Sequence, residues 1–194
     1  MLVENTCITQ LQAISCHIPA NKSTTKIMEI SNLRMPKKDV KAAYVNPVAQ
    51  GLYQTIANLA QITALGQLIH WNMVGPCFFS LHPVLGEQYN AAFDLEDEIA
   101  ERIRALGLQV YSTDPAMLKM LANMPEVTVP IDPTDCSANV GALLAMHQKS
   151  IADLKALVRI SGEAGDLTTQ NMVLGWIEAE EKTVWMLRSY LGIA

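Results

Sequence analysis

The segment GLQVYSTDPAMLKMLANMPEVTVPIDPT, Gly107 to Thr134, decides how the rest of the chain must be arranged. Four of the nine prolines (Pro115, Pro125, Pro130 and Pro133) fall inside it, and none occurs from Thr134 to Ala194. It separates two pairs of helical stretches, and at about 27 residues it is far longer than a turn between neighbouring helices. A connection of that length can travel the whole length of a bundle, so the helices before and after it run parallel. A short helix is expected within it, from about Pro115 to Ala122.

On its N-terminal side, apolar or small residues recur at Val48, Leu52, Ile56, Leu59, Thr63, Gly66, His70 and Met73, in the steps of three and four that mark a helix. This first helix is expected from about Pro47 to Met73, with Asn46 as N-cap and Pro47 at N1. A second, from about Pro83 to Leu106, turns Leu85, Tyr89, Ala92, Ile99, Ile103 and Leu106 inward and ends at Gly107. On the C-terminal side, a third helix is expected from about Ser137 to Ser161, closed by Gly162 and Gly165. The fourth is capped by Asp166 or Thr168 and runs to Leu191. No stretch alternates as a strand would. Four helices of about 25 residues, each about 37 Å long, pack side by side. Two short links and one long crossover define an all-α four-helix bundle of the ferritin-like topology.

Charge divides the chain differently. Residues 1–41 carry six basic and three acidic groups, a net +3, whereas 42–194 carry eight and sixteen, a net −8. The first segment reads as an extended or mobile arm and the second as the bundle. Only 17% of residues are charged, below the roughly 25% usual for a soluble domain, which points to surface hidden in an oligomer or to a membrane. The longest charge-free stretch, Ala42 to Gly86, is broken by Asn46, Gln50, Gln54, Asn58, Gln61 and further polar residues, so it is not expected to span one. The N-terminus lacks the basic and apolar regions of a signal peptide. Cys7, Cys16, Cys77 and Cys136 form neither a CxxC pair nor a small-domain disulfide frame, so reduced thiols and a cytoplasmic location are expected.

The candidate chemistry lies in HWNMVGPCFFSLH, His70 to His82, and DEIAE, Asp97 to Glu101. Asp97 and Glu101 are i,i+4 on one helix face, about 6 Å apart, a spacing that suits a hard divalent cation. Such a pair is also what any solvated helix face presents. His82 precedes them by 15 and 19 residues, or about 22 and 28 Å along a straight helix, too far to share a metal within one chain. If two such helices met antiparallel across a two-fold axis, His82 of one subunit would approach the carboxylates of the other. His70 shares the loop end with His82, but it also falls in the apolar stripe, and periodicity alone favours a core histidine. His147 and Glu180 occupy inward positions and read as a buried hydrogen-bonded pair or as an intrachain metal site. The Glu-x-x-His motif of intrachain di-iron bundles is absent.

The run His70-Trp71-Asn72, Gly75, Phe78, His82, Tyr89, Asp97, Ala100-Glu101-Arg102 and Gly107 closely resembles the signature of the Dps family, the DNA-binding ferritin-like proteins of starved bacteria. Gly165-Asp166, Thr169, Glu181-Lys182, Trp185 and Leu187 look like the family's last helix, and the resemblance covers about residues 44–192. It implies a homo-dodecameric shell with ferroxidase sites at its two-fold interfaces. Fe(II) is oxidised there, typically by hydrogen peroxide and otherwise by dioxygen, and ferric mineral is stored inside, with zinc as a competing ion. By position in the motif, His70 and His82 resemble the histidines of one subunit, and Asp97 and Glu101 the carboxylates of its mate. Trp71 is similar to the auxiliary tryptophan beside the site, and equally suits an interface anchor.

Two departures stand out. Gly86 lies where the family commonly has an acidic residue, and Asn171 where many relatives carry a channel aspartate; Glu163 and Asp166 remain as candidate ion-channel carboxylates, with helix capping the default role for Asp166. DNA binding is left open, since the arm is basic and the body acidic. A DNA-compacting member with a weak or zinc-occupied site is the alternative, and nucleoid association would follow from it. Cys7, Cys16 and His17 are poorly spaced for a closed zinc site.

Overall fold

The computed structural model describes residues 46–110 and 132–193. They form four helices: α1 (Pro47–Asn72), α2 (Phe78–Ala105), α3 (Cys136–Glu163) and α4 (Leu167–Leu191). Among the described residues there is no strand. The expected arm and the short helix of the crossover lie outside the described residues.

Local chemistry fixes the helix ends. The Asn46 side chain accepts from the amides of Val48 at 3.0 Å and Ala49 at 3.2 Å, and Pro47 fills N1. Asp135 caps α3 through the Ala138 amide at 2.8 Å, and Asp166 caps α4 through the Thr169 amide at 3.0 Å. Two expectations shift. Helix α2 starts at Phe78 rather than Pro83, so Pro83 sits inside it. The ring removes the amide that would bond the Phe79 carbonyl, which is tolerable because Phe79 is 89% exposed and water can serve instead. Helix α3 continues through Gly162 to Glu163, and the left-handed turn falls at Gly165, φ 71°. A Cβ on Gly162 would lie 2.4 Å from the Gln170 amide nitrogen, so that side-chain end would have to shift to admit one.

Cross-helix contacts establish the direction of each helix. The start of α1 meets the end of α3: a Cβ on Gly51 would fall 2.6 Å from Leu157 Cδ1, and Asn58 Nδ2 donates to Asp153 Oδ2 at 3.0 Å. The end of α2 meets the start of α4, where Arg102 pairs with Asp166 at 2.7 Å and bonds Thr169 at 2.8 Å. Trp176 Nε1 of α4 donates to Glu98 of α2 at 3.2 Å, further along the same seam. Helices α1 and α2, and α3 and α4, are joined by short links. With α1 antiparallel to both α2 and α3, those two run parallel, as the long connection requires.

The core is apolar along the bundle: Leu52, Leu59, Ile69, Leu85, Ile99 and Leu154 are all but inaccessible to solvent. His147 and Glu180 form its one close polar pair among the described residues, Nδ1 to Oε2 at 2.5 Å, with side chains 4% and 7% exposed. Of the two readings of those residues, the hydrogen-bonded pair is the arrangement observed, and its mutual bonding offsets the cost of burying both groups.

The expectation of four reduced cysteines does not hold. Cys77 and Cys136 are joined in a disulfide, with Cα atoms 6.6 Å apart. The physical reason is topological: parallel α2 and α3 start at the same end of the bundle, so residues 59 apart in sequence become neighbours. The amide of Val74 also donates to the Pro133 carbonyl at 2.9 Å, tying the same two segments.

Candidate metal centre

His70 lies in the last turn of α1 and His82 in the second turn of α2. The chain reverses between them at Gly75, whose φ of 96° is open to glycine with little steric cost. Spacing alone left open whether the imidazoles converge, and they do. Nδ1 of His70 lies 2.8 Å from the His82 carbonyl, and Nδ1 of His82 lies 3.1 Å from the His70 carbonyl. A carbonyl only accepts, so each Nδ1 carries the proton and donates. In the neutral ring this leaves the lone pair on Nε2 of both histidines, the tautomer a metal ligand needs.

Packing holds the pair in place. The rings stack with centroids 3.7 Å apart and planes 19° from parallel. Phe78 stacks on the outer face of His82 at 4.6 Å, and Tyr89 meets His70 edge-on at 5.3 Å. Gly86 lies against His70, and a Cβ there would meet its Cε1 at 3.4 Å, an ordinary van der Waals contact. Phe78 and Tyr89 are visible in the motif as residues but not as contacts. The reciprocal carbonyl bonds carry no sequence signal, because any residue supplies a carbonyl.

The carboxylates lie elsewhere. The helical step of about 100° sends the acids of α2 in different directions. Glu96 turns toward α1, where Thr63 Oγ1 donates to it at 3.3 Å, and burial outweighs that bond to raise its pKa. Glu98 turns toward Trp176 of α4. Asp97 and Glu101 face outward and are exposed. The backbone that bears them is anchored by Arg102, clamped to Asp166 and Thr169. Among the described residues, no three His, Cys, Asp or Glu side chains converge as a metal-holding group within one chain.

Of the remaining candidates, Trp71 is 66% exposed next to His70. Glu163 is exposed at the α3–α4 turn, as is Asn171 one turn into α4. Asp166 is occupied as a cap and ion-pair partner. Burial opposes ionisation there, but hydrogen bonds from Thr169 and the Arg102 guanidinium together hold its pKa below the usual carboxylate range.

The pattern of the ferritin-like domain matches residues 49–193. A DNA protection during starvation protein of Porphyromonas gingivalis is 32% identical over 165 residues, which is 85% of this chain and 97% of that protein. The chain belongs to the ferritin-like Dps family. Among solved structures, Dps from Thermosynechococcus elongatus superposes with a TM-score of 0.70 at 26% identity, covering 77% of this chain and 94% of its own. Dps from Vibrio cholerae, described as a member of a broad superfamily of ferritin-like diiron-carboxylate proteins, gives 0.68 at 28% identity over 74% and 88%. Against this Dps-family frame, Gly86 under His70 and the disulfide beside the two-histidine loop are features of this chain's own geometry.

Proposed function

We propose that this protein is a ferroxidase and iron store: it oxidises Fe(II), with hydrogen peroxide as the preferred oxidant, and holds the ferric product inside a homo-dodecameric shell. One observation carries the reading. The histidine half of the site is closed and oriented within one subunit, while the carboxylate half, on the same helix, is exposed and about 22 to 28 Å away along its axis. Two such helices related by a two-fold axis complete two sites at once, each with Nε2 atoms of His70 and His82 from one subunit and Asp97 and Glu101 from the other.

The donor set suits Fe(II) as substrate. Imidazole nitrogens accept ferrous iron, and carboxylates offset its charge and favour the ferric product. Passing two electrons together to one peroxide yields water rather than a free hydroxyl radical. Zinc accepts the same nitrogen and oxygen donors and is expected to compete. The other proposed roles follow from position. Trp71, exposed beside His70, would line the interface as an auxiliary residue that intercepts stray oxidising equivalents. Glu163 would serve an ion channel more readily than Asp166, whose carboxylate is committed to Arg102 and Thr169. Support for assembly comes from large apolar side chains left outside the core, including Trp71, Phe79, Phe93 and Trp185. No helix among the described residues is long and apolar enough to cross a membrane, and a cytoplasmic location is part of the proposal.

Mixed assembly tests the shared site. His82→Ala and Asp97→Asn subunits, each strongly impaired alone, are unfolded, mixed equally and reassembled. A site built across the two-fold recovers about one quarter of wild-type Fe(II) oxidation, because random pairing joins an intact histidine half to an intact carboxylate half that often. No recovery in a correctly sized particle refutes it. The second reading, a DNA-compacting protein with a weak or zinc-filled site, draws on the +3 arm of residues 1–41. A salt-dependent DNA shift without peroxide-driven iron oxidation would favour it.

A further inference from the structure

The disulfide lies where it can control the histidine half of the site. Cys77 is the N-cap residue of α2, and its carbonyl accepts from the Leu81 amide at 2.9 Å. Cys136 is the first residue of α3. Cys77 therefore anchors the segment that runs from His70, seven residues before it, to His82, five residues after it. The disulfide and the Val74–Pro133 backbone bond at 2.9 Å tie this segment to the start of α3. Both sulfur-bearing residues are partly exposed, so small oxidants and reductants can reach them.

From this placement we infer that Cys77 and Cys136 are a reversible peroxide-reactive dithiol site, a clamp whose oxidised form holds the two-histidine segment ready for iron. The iron clause rests on the function proposed above, and the thiol chemistry does not. In the oxidising step one thiolate attacks a peroxide oxygen, an S–O bond forms, the O–O bond breaks, and the departing hydroxide takes up a proton to give water. The second thiolate then attacks that sulfur, forming S–S and breaking S–O, and a second water leaves. The two sulfurs lose two electrons in all, and one peroxide gains them. A small-molecule thiol reverses the step by exchange. In a reducing compartment such a disulfide is transient, which suits a sensor better than a permanent staple. Closing the clamp restricts the loop before metal arrives, so iron binding has less ordering to impose.

The experiment uses the full-length, metal-free protein, reduced and then freed of reductant. Stoichiometric hydrogen peroxide is added with a chelator present, and the crosslink is mapped by peptide mass spectrometry. Hydrogen exchange over residues 71–82 and anaerobic Fe(II) binding are then compared between the two states. Peroxide is expected to restore the Cys77–Cys136 crosslink, slow exchange in that segment about tenfold, and tighten Fe(II) binding several-fold. Cys77→Ser and Cys136→Ser proteins should behave as the reduced form in both conditions. Failure of peroxide to form the crosslink, or equal exchange in the two states, overturns the clamp. If exchange slows and Fe(II) binds in neither state, the clamp stands and the iron reading falls.

Discussion

The two ends of α2 offer the two halves of the proposed site in opposite states of preparation. At the N-terminal end, His82 is bonded to the backbone of His70, stacked on its ring and covered by Phe78. Toward the C-terminal end, Asp97 and Glu101 project into solvent, and only the backbone that bears them is fixed, by Arg102 with Asp166 and Thr169. The difference is one of cost. A neutral imidazole tolerates a half-buried seat, whereas two adjacent carboxylates gain from hydration until a cation replaces the water. The nitrogen half can be assembled early within one chain, and the carboxylate half is better left open until a partner and a metal arrive.

The contrast can be broken by substitution. The largest effect is expected from Asp97→Asn with Glu101→Gln, which should slow Fe(II) oxidation at least about 100-fold, followed by ferric absorbance. Because both residues are exposed and outside the core, the thermal midpoint should stay put; a large drop would make them packing residues. His82→Ala should also slow oxidation, by roughly 10- to 100-fold. It should in addition remove about 1 kcal/mol of stability, since the His70 carbonyl loses its donor, and denaturant unfolding at fixed pH measures this.

Smaller effects sharpen the picture of the scaffold. Asp166→Asn should cost about 1–2 kcal/mol at neutral pH through the loss of a charged cap and ion pair. The folded pKa of Asp166 is depressed, so its contribution is present above the ordinary carboxylate range and fades as pH falls through the depressed folded value. Urea unfolding of wild type and variant should therefore converge in acid. Glu96 is the opposite case: burial raises its folded pKa, so its ionised form costs stability above the ordinary value, and that cost is relieved as pH falls. Glu96→Gln keeps an acceptor for Thr63 and should stabilise the protein slightly at pH 7, by less than about 0.5 kcal/mol. The gain should vanish as the solution is acidified.

The four long helices were legible because each turns an apolar stripe inward, and α1 and α4 also carry caps in Asn46 and Asp166. The start of α2 was misplaced because Pro83 looks like a helix boundary, and an exposed Phe79 carbonyl makes it tolerable within the helix. The candidates His70, His82, Asp97 and Glu101 were named from their types, their intervals and the resemblance to the family's signature. The reciprocal bonding of the histidines was not, because it runs through backbone carbonyls. The disulfide was missed for a related reason: a gap of 59 residues has no meaning until the direction of α3 is known.

By itself the sequence determined the helical periods, the caps, the length of the crossover and the separation of imidazoles from carboxylates along one helix. These follow from local rules of rise, rotation and charge. Only the tertiary structure decided which acids face α1, α4 or solvent, that the two imidazoles stack on each other, and that Cys77 meets Cys136. Those outcomes depend on how four helices pack against one another, and packing joins residues that no local rule along the chain relates.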